Sequence, residues 1–178
     1  MVDGMFEASQ YLIEKRTWGN RKNKRLQIEN KSEIILGYFE PDGINRLLIT
    51  DTNGTIQAEV ERLSGSTLSL AVYGPQHGYR GTVRLTQLGM GGMITIPSLY
   101  EIRDSQGILV AKLKASRNDR NFHTMRYLAP NGELVADVYP SSMKGFVQLD
   151  IARPGFDPLY VLADVTWSLM KGKHADVY

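Results

Sequence analysis

Asp157-Pro-Leu-Tyr160-Val-Leu-Ala-Asp164-Val-Thr-Trp167-Ser-Leu-Met170 is the stretch whose surroundings define the fold. Asp157-Pro158 is a helix start: the Asp side chain can cap free backbone N–H groups, and Pro at the first helical position gives up an N–H that would be unpaired anyway. From Leu159 to Met170 the residues are apolar on nearly every side of a helix, with Asp164, Thr166 and Ser168 as polar breaks. A surface helix keeps a polar face; this one does not. A helix over 157–170 reaches about 21 Å, short of the roughly 30 Å of a bilayer core, and Asp164 at its middle makes spanning costlier. Burial inside protein is the expectation, with Asp164 satisfied by a partner such as Arg or Tyr that fixes the register. Lys171-Gly172-Lys173 then ends the helix with cations and a Gly suited to its C-terminus.

What surrounds the helix is written in a repeat. Ile49-Thr-Asp51-Thr-Asn-Gly54-Thr-Ile56-Gln-Ala58 and Ile102-Arg-Asp104-Ser-Gln-Gly107-Ile-Leu109-Val-Ala111 share the spacing of Ile, Asp, Gly, aliphatic and Ala. Tyr127-Leu-Ala129-Pro-Asn-Gly132-Glu-Leu134-Val-Ala136 is looser, and Ile28-Glu-Asn30-Lys-Ser-Glu33-Ile-Ile35-Leu-Gly37 keeps the apolar and small positions without the turn Gly. Each copy reads as a β-hairpin: Asp or Asn bonds its own backbone in the turn, and Gly supplies positive φ. Leu109, Ala111, Leu113 and Ala115 alternate with Val110, Lys112 and Lys114, which predicts a strand with one wet face. The small residues Gly37, Ala58, Ala111 and Ala136 leave room on the buried face for something bulky to approach. Further strands are expected over Phe6–Arg16, Ile56–Leu63, Thr67–Tyr73, Tyr79–Leu88, Met93–Pro97 and Phe146–Ala152. The copies are spaced too unevenly for a solenoid or propeller. The expected fold is mainly β: one domain over 1–178, about twelve antiparallel strands closed into a barrel around the helix.

Length and composition agree with one self-folding domain: 178 residues, 42% hydrophobic, 22% charged, with 17 Gly and 7 Pro. A net charge of +2 gives no reason to expect nucleic acid, so any anionic partner must be read from local clusters. The absence of Cys excludes disulfides, thiolate catalysis and Cys-type zinc sites. Met1-Val-Asp-Gly-Met5 precedes no apolar stretch of signal-peptide length, so a cytoplasmic protein, able to associate peripherally with a membrane, is expected.

Hairpins with the Tyr100-Glu-Ile102-Arg-Asp104-Ser-Gln-Gly107 pattern, the opening strand Tyr11-Leu-Ile13-Glu-Lys15 and the helix starting at Asp157-Pro158 together resemble the tubby C-terminal-like superfamily, including LURP-one-related proteins and phospholipid scramblases. The resemblance covers most of the chain. It implies a twelve-stranded barrel threaded by the helix and, from tubby proteins, a basic surface for phosphoinositide head groups. Scramblases would add calcium, a palmitoylated Cys-rich stretch and lipid exchange, but this chain has no Cys and no acidic loop of EF-hand pattern. No family binding residue carries over, because no position-specific motif matches.

Among the residues themselves, Arg16, Arg21, Lys22, Lys24 and Arg25 are the densest basic cluster, around Trp18 in an expected hairpin loop, and can hold phosphate by charge-assisted hydrogen bonds; the alternative is a solvated loop. Lys112 and Lys114, followed by Arg117 and Arg120, start on the outward face of one strand, where protection of a sheet edge explains them equally. Gly89-Met-Gly-Gly-Met93 lacks the Lys-Ser/Thr of a P-loop and reads as a plain loop. His77, His123 and His174 are scattered, Asp137 and Asp150 show no acid/base spacing, and no Gly-x-Ser-x-Gly elbow occurs. The reading is a binding module without enzymatic activity or cofactor. Its candidate anion- or lipid-binding residues are Arg21, Lys22, Lys24, Arg25, Lys112 and Lys114, and its candidate partners are anionic phospholipid at a membrane surface or a protein partner. The alternative is a scramblase-like protein whose C-terminal helix inserts into the bilayer.

Overall fold

The computed structural model describes residues 4–17, 19–20, 22–64, 69–87, 98–115 and 125–171. Among them run twelve strands and one α-helix: β1 (Gln10–Glu14), β2 (Leu26–Asn30), β3 (Ile35–Pro41), β4 (Arg46–Asp51), β5 (Ile56–Arg62), β6 (Ser69–Tyr73), β7 (Tyr79–Gln87), β8 (Ser98–Asp104), β9 (Leu109–Ala115), β10 (Met125–Leu128), β11 (Leu134–Pro140), β12 (Phe146–Ile151) and α1 (Leu159–Lys171). Each strand pairs antiparallel with its sequence neighbours, and β12 closes onto β1, so the sheet is a closed up-and-down barrel. Closure removes every free edge. The expected strand over Phe6–Arg16 is shorter, because Gly4 and Glu7 bond each other in a turn before it and Arg16 leaves it to bond loop carbonyls. Met93–Pro97 lies outside the described residues.

The repeat governs the register. Ile28 lies opposite Gly37, Ile49 opposite Ala58, Ile102 opposite Ala111 and Tyr127 opposite Ala136, and the register shifts immediately after each pair. A fifth copy, which sequence reading misses, pairs Val72 with Gly81 at the same separation and with the same shift. It splits the interval between Ile49 and Ile102 into 23 and 30 residues, so the copies are more regular than four alone suggest. Its turn, Gly74-Pro75-Gln76-His77-Gly78, carries no Asp or Asn and hid it. The residue five after each large one has positive φ in all five: Glu33 at 61°, Gly54 at 84°, His77 at 59°, Gly107 at 80° and Gly132 at 88°. Asp51 Oδ1 accepts the N–H groups of Asn53 and Thr55, Asp104 Oδ1 those of Gln106 and Ile108, and Asn30 Oδ1 those of Ser32 and Ile34. These bonds, that from Thr55 foremost, hold the Asp51 carboxyl below the usual carboxylate range.

Glu33 therefore occupies a conformation that suits Gly. Left-handed backbone costs a residue with a Cβ about 1 kcal/mol, and the Glu33 charge also helps to push the Glu29 carboxyl up, after burial as the main cause. Glu33→Gly is expected to stabilise the fold by about 0.5–1 kcal/mol in a urea titration, part of the relief being lost to a freer unfolded chain. An unchanged or lower midpoint would mean the turn tolerates Glu without strain.

The large members of these pairs point inward. Ile28, Ile49, Val72, Ile102 and Tyr127 are all fully buried, and the helix backbone comes nearest to β5 and β3, which carry Ala58 and Gly37. At Gly37 a Cβ would stand 2.0 Å from Met5 Cε and 2.1 Å from Thr50 O, and at Gly81 2.0 Å from Arg103 O, so the Met5 side chain and the neighbouring strand take the space at the first position and the neighbouring strand takes it at the second. Asp157 caps the helix as expected: its Oδ1 accepts the Leu159 N–H at 2.9 Å, and Leu162 N–H reaches Pro158 O at 2.9 Å. Residues Leu159 to Trp167 are almost wholly enclosed. The polar breaks are each answered: Thr166 Oγ1 donates to Leu162 O, Ser168 Oγ to Asp164 O, and Tyr127 Oη to Asp164 Oδ2 at 2.6 Å. At the helix start Tyr160 Oη donates to Arg80 O.

Candidate anion-binding loop

Antiparallel order places the five repeat turns and the start of α1 at one end of the barrel, and the β1–β2 loop and the end of α1 at the other. The described part of that loop is held by its own polar groups. Asn20 Oδ1 accepts the Thr17 N–H at 2.7 Å, while Asn20 Nδ2 donates to Glu14 Oε1 at 2.8 Å and to Lys15 O at 3.0 Å. Glu14 Oε2 accepts the Gln27 N–H at 2.9 Å. Arg16 Nη1 donates to Asn20 O and Asn23 O, and Arg16 Nη2 faces Met170 Sδ at 3.3 Å, so the loop is tied to the helix end. One of the five cations of the cluster is thus structural.

Lys22, Lys24 and Arg25 are exposed, as a head-group site requires. They are not all free charges. Lys24 Nζ stands 4.0 Å from Glu40 Oε2, and the Arg25 guanidinium lies 4.0 Å above the centre of the Tyr38 ring. Arg21 and Trp18 lie outside the described residues. Glu14, Asn20, Tyr38 and Glu40 are the neighbours that sequence reasoning missed. The signal existed, because the hairpin about Asn30 pairs Leu26 with Phe39 and so carries Arg25 and Lys24 alongside Glu40.

The second basic group is elsewhere. Lys112 is exposed on the outer wall at β9, opposite Glu101 in register, and Lys114 is opposite Arg126. β9 lies on a distant part of the wall from β1 and β2, so the two groups do not form one site. Edge protection does not explain them either, since a closed barrel has no edge. The Lys114 side chain and Arg117 and Arg120 fall outside the described residues, as do Gly89–Met93, His123 and His174.

Other polar groups are held structurally. His77 Nδ1 lies 3.2 Å from Glu59 Oε2, with its ring stacked on Tyr73 at 4.1 Å. Asp137 and Asp150 are brought directly opposite each other on the outer wall. Asp150 accepts from Tyr139 Oη and Gln148 Nε2, and Asp137 faces Arg126 Nε at 3.9 Å. The hydrogen bond to Asp150, followed by burial, pushes the Tyr139 hydroxyl up to about 12. Among the described residues no group of three or more His, Asp or Glu is placed to hold a metal ion.

No family model matches this chain, and no curated protein does. Among solved structures, the chain is similar to an X-ray structure of a protein from Arabidopsis thaliana, with a TM-score of 0.59 and 13% identity, over 89% of this chain and 89% of that one. At that identity the likeness concerns the fold alone. The two chains share an overall fold, here a closed twelve-stranded barrel around a C-terminal helix.

Proposed function

We propose that this chain is a non-enzymatic binding module of the tubby-like, LURP-one-related type, which recognises anionic phospholipid head groups at a membrane surface through the β1–β2 loop. The observation that carries the reading is the exposure of Lys22, Lys24 and Arg25 on a loop whose backbone is already organised by Asn20, Glu14 and Arg16. Preorganised cations lose little freedom when they meet phosphate, and basic residues beside an anionic leaflet contribute about 1 kcal/mol each. Lys112 stands apart from this site.

Insertion of the helix is the less favoured reading. Among the described residues no helix is long and apolar enough to cross a membrane, and withdrawal of α1 would break the Tyr127–Asp164 and Tyr160–Arg80 bonds. A protein partner remains the reading if lipid fails. Co-sedimentation with neutral and with acidic vesicles, at low and at physiological salt, separates them. Binding to acidic vesicles that falls with salt is expected, and the joint change of Lys22, Lys24 and Arg25 to Gln should weaken it on the order of a hundredfold. Salt-resistant binding lost on changing Val161, Leu162 or Trp167 would instead support insertion. A folded, monodisperse protein that binds neither vesicle would rule out both lipid readings.

A further inference from the structure

Beside the loop, on the outer wall of β1, β2 and β3, an open cleft of about 610 Å³ is lined by Glu14, Asn23, Lys24, Arg25, Gln27, Tyr38 and Glu40. Its two cations and two carboxylates cancel. Both oxygens of Glu14 are engaged by Asn20 and by the Gln27 backbone. Glu40 is different: it faces Lys24 at 4.0 Å, the outer limit of an ion pair, with the Lys24 side chain 76% exposed. Such pairs exchange easily for other partners. The Arg25 Cζ stands 4.0 Å over the centre of the Tyr38 ring, and a guanidinium held by such a cation–π contact still has N–H donors to offer an anion.

A ligand bearing several phosphates would have to sit beside Glu40 and Glu14, and like charges repel it. A ligand with one phosphate and one ammonium a few bonds apart is repelled less, because its ammonium pairs with a carboxylate, and in a serine ester the carboxylate beside that ammonium can turn to the open, solvent side of the cleft. Its phosphate takes Lys24 and Arg25, and its ammonium takes the Glu40 carboxylate that Lys24 releases. We propose that the cleft takes a phosphate ester carrying an amine, of the phosphoserine or phosphoethanolamine class, in preference to a polyphosphorylated head group. This rests on the reading of the loop as a head-group site and names the head group.

The test compares vesicles of equal surface charge that contain phosphatidylserine, phosphatidylglycerol or a polyphosphorylated phosphatidylinositol, with wild type, Glu40→Gln and Lys24→Gln. Phosphatidylserine should bind best. Glu40→Gln should weaken binding to phosphatidylserine about fivefold, the size of one exposed ion pair, while leaving phosphatidylglycerol binding equal or stronger. Lys24→Gln should weaken both. Equal binding of all three acidic lipids by wild type, or stronger phosphatidylserine binding by Glu40→Gln, overturns the phospho-amine assignment and leaves the head-group reading standing. Absence of binding to every acidic vesicle overturns both. Free phosphoethanolamine distinguishes the source: displacement of bound vesicles places the recognised chemistry in the soluble ester itself, and phosphatidylserine preference without displacement places it in the membrane-borne head group. Glu40 is partly exposed, and thermal melts of each variant check that the fold is retained.

Discussion

Replacing Tyr127 with Phe should lower the unfolding free energy by about 3 kcal/mol, because a buried carboxylate loses a hydrogen-bond donor that water cannot replace. Tyr127 Oη lies 2.6 Å from Asp164 Oδ2, and both residues are fully buried. Urea unfolding of Tyr127→Phe, Asp164→Asn and the double variant forms a cycle. A coupling of about 1.5–3 kcal/mol is expected, and additive effects would show that the bond contributes nothing of its own. The same residue also predicts behaviour at high pH. Burial first, then the Asp164 charge, pushes the Tyr127 hydroxyl well above its usual value, and burial pushes Tyr11 up as well. The folded chain therefore keeps protons that the unfolded chain releases above about pH 10, so this stability is complete below that pH and is lost as pH rises beyond it. Each such tyrosine should contribute a slope of about 1.4 kcal/mol per pH unit there, and Tyr127→Phe should make the alkaline loss shallower. An unchanged slope in that variant would contradict the assignment.

Trp167→Ala should cost about 4 kcal/mol. The side chain is 1% exposed, the largest in the core, and it fills the barrel from a helix enclosed by strands on all sides, so the surroundings have little freedom to collapse into the space left behind. The measurement is the urea midpoint at constant slope, since a change in slope would signal a loosened native state instead. A cost below about 1.5 kcal/mol would show that the barrel closes around a smaller residue. The two variants also bear on membrane insertion. If α1 left the barrel in use, weakening its hold through Tyr127→Phe would raise salt-resistant vesicle binding; under the head-group reading that binding stays the same.

Much of the barrel was legible because the repeat writes local and long-range instructions in the same ten residues. The Asx bonds and positive φ of the turn make each hairpin, and the large and small residues nine apart become the facing pair that sets its register. The fifth copy escaped because the turn at Gly74–Gly78 uses a different chemistry, although Val72 and Gly81 kept the spacing. The candidate site was legible only as charge. Lys22, Lys24 and Arg25 are exposed, whereas Arg16 is spent on loop carbonyls and Lys112 stands on a distant part of the wall.

The sequence by itself determined that the chain is mainly β, that its hairpins turn where Asp, Asn and Gly stand, and that the helix after Asp157-Pro158 must be enclosed. Those conclusions depend on periodicity and on backbone preferences, which act within about ten residues. Only the tertiary structure decided that Tyr127 answers Asp164, that Asn20 is held by Glu14 beside the cleft, and that the two basic groups lie apart. Partner choice between side chains depends on distances set by barrel closure and by the path of the helix through it, and no local pattern of residues encodes those distances.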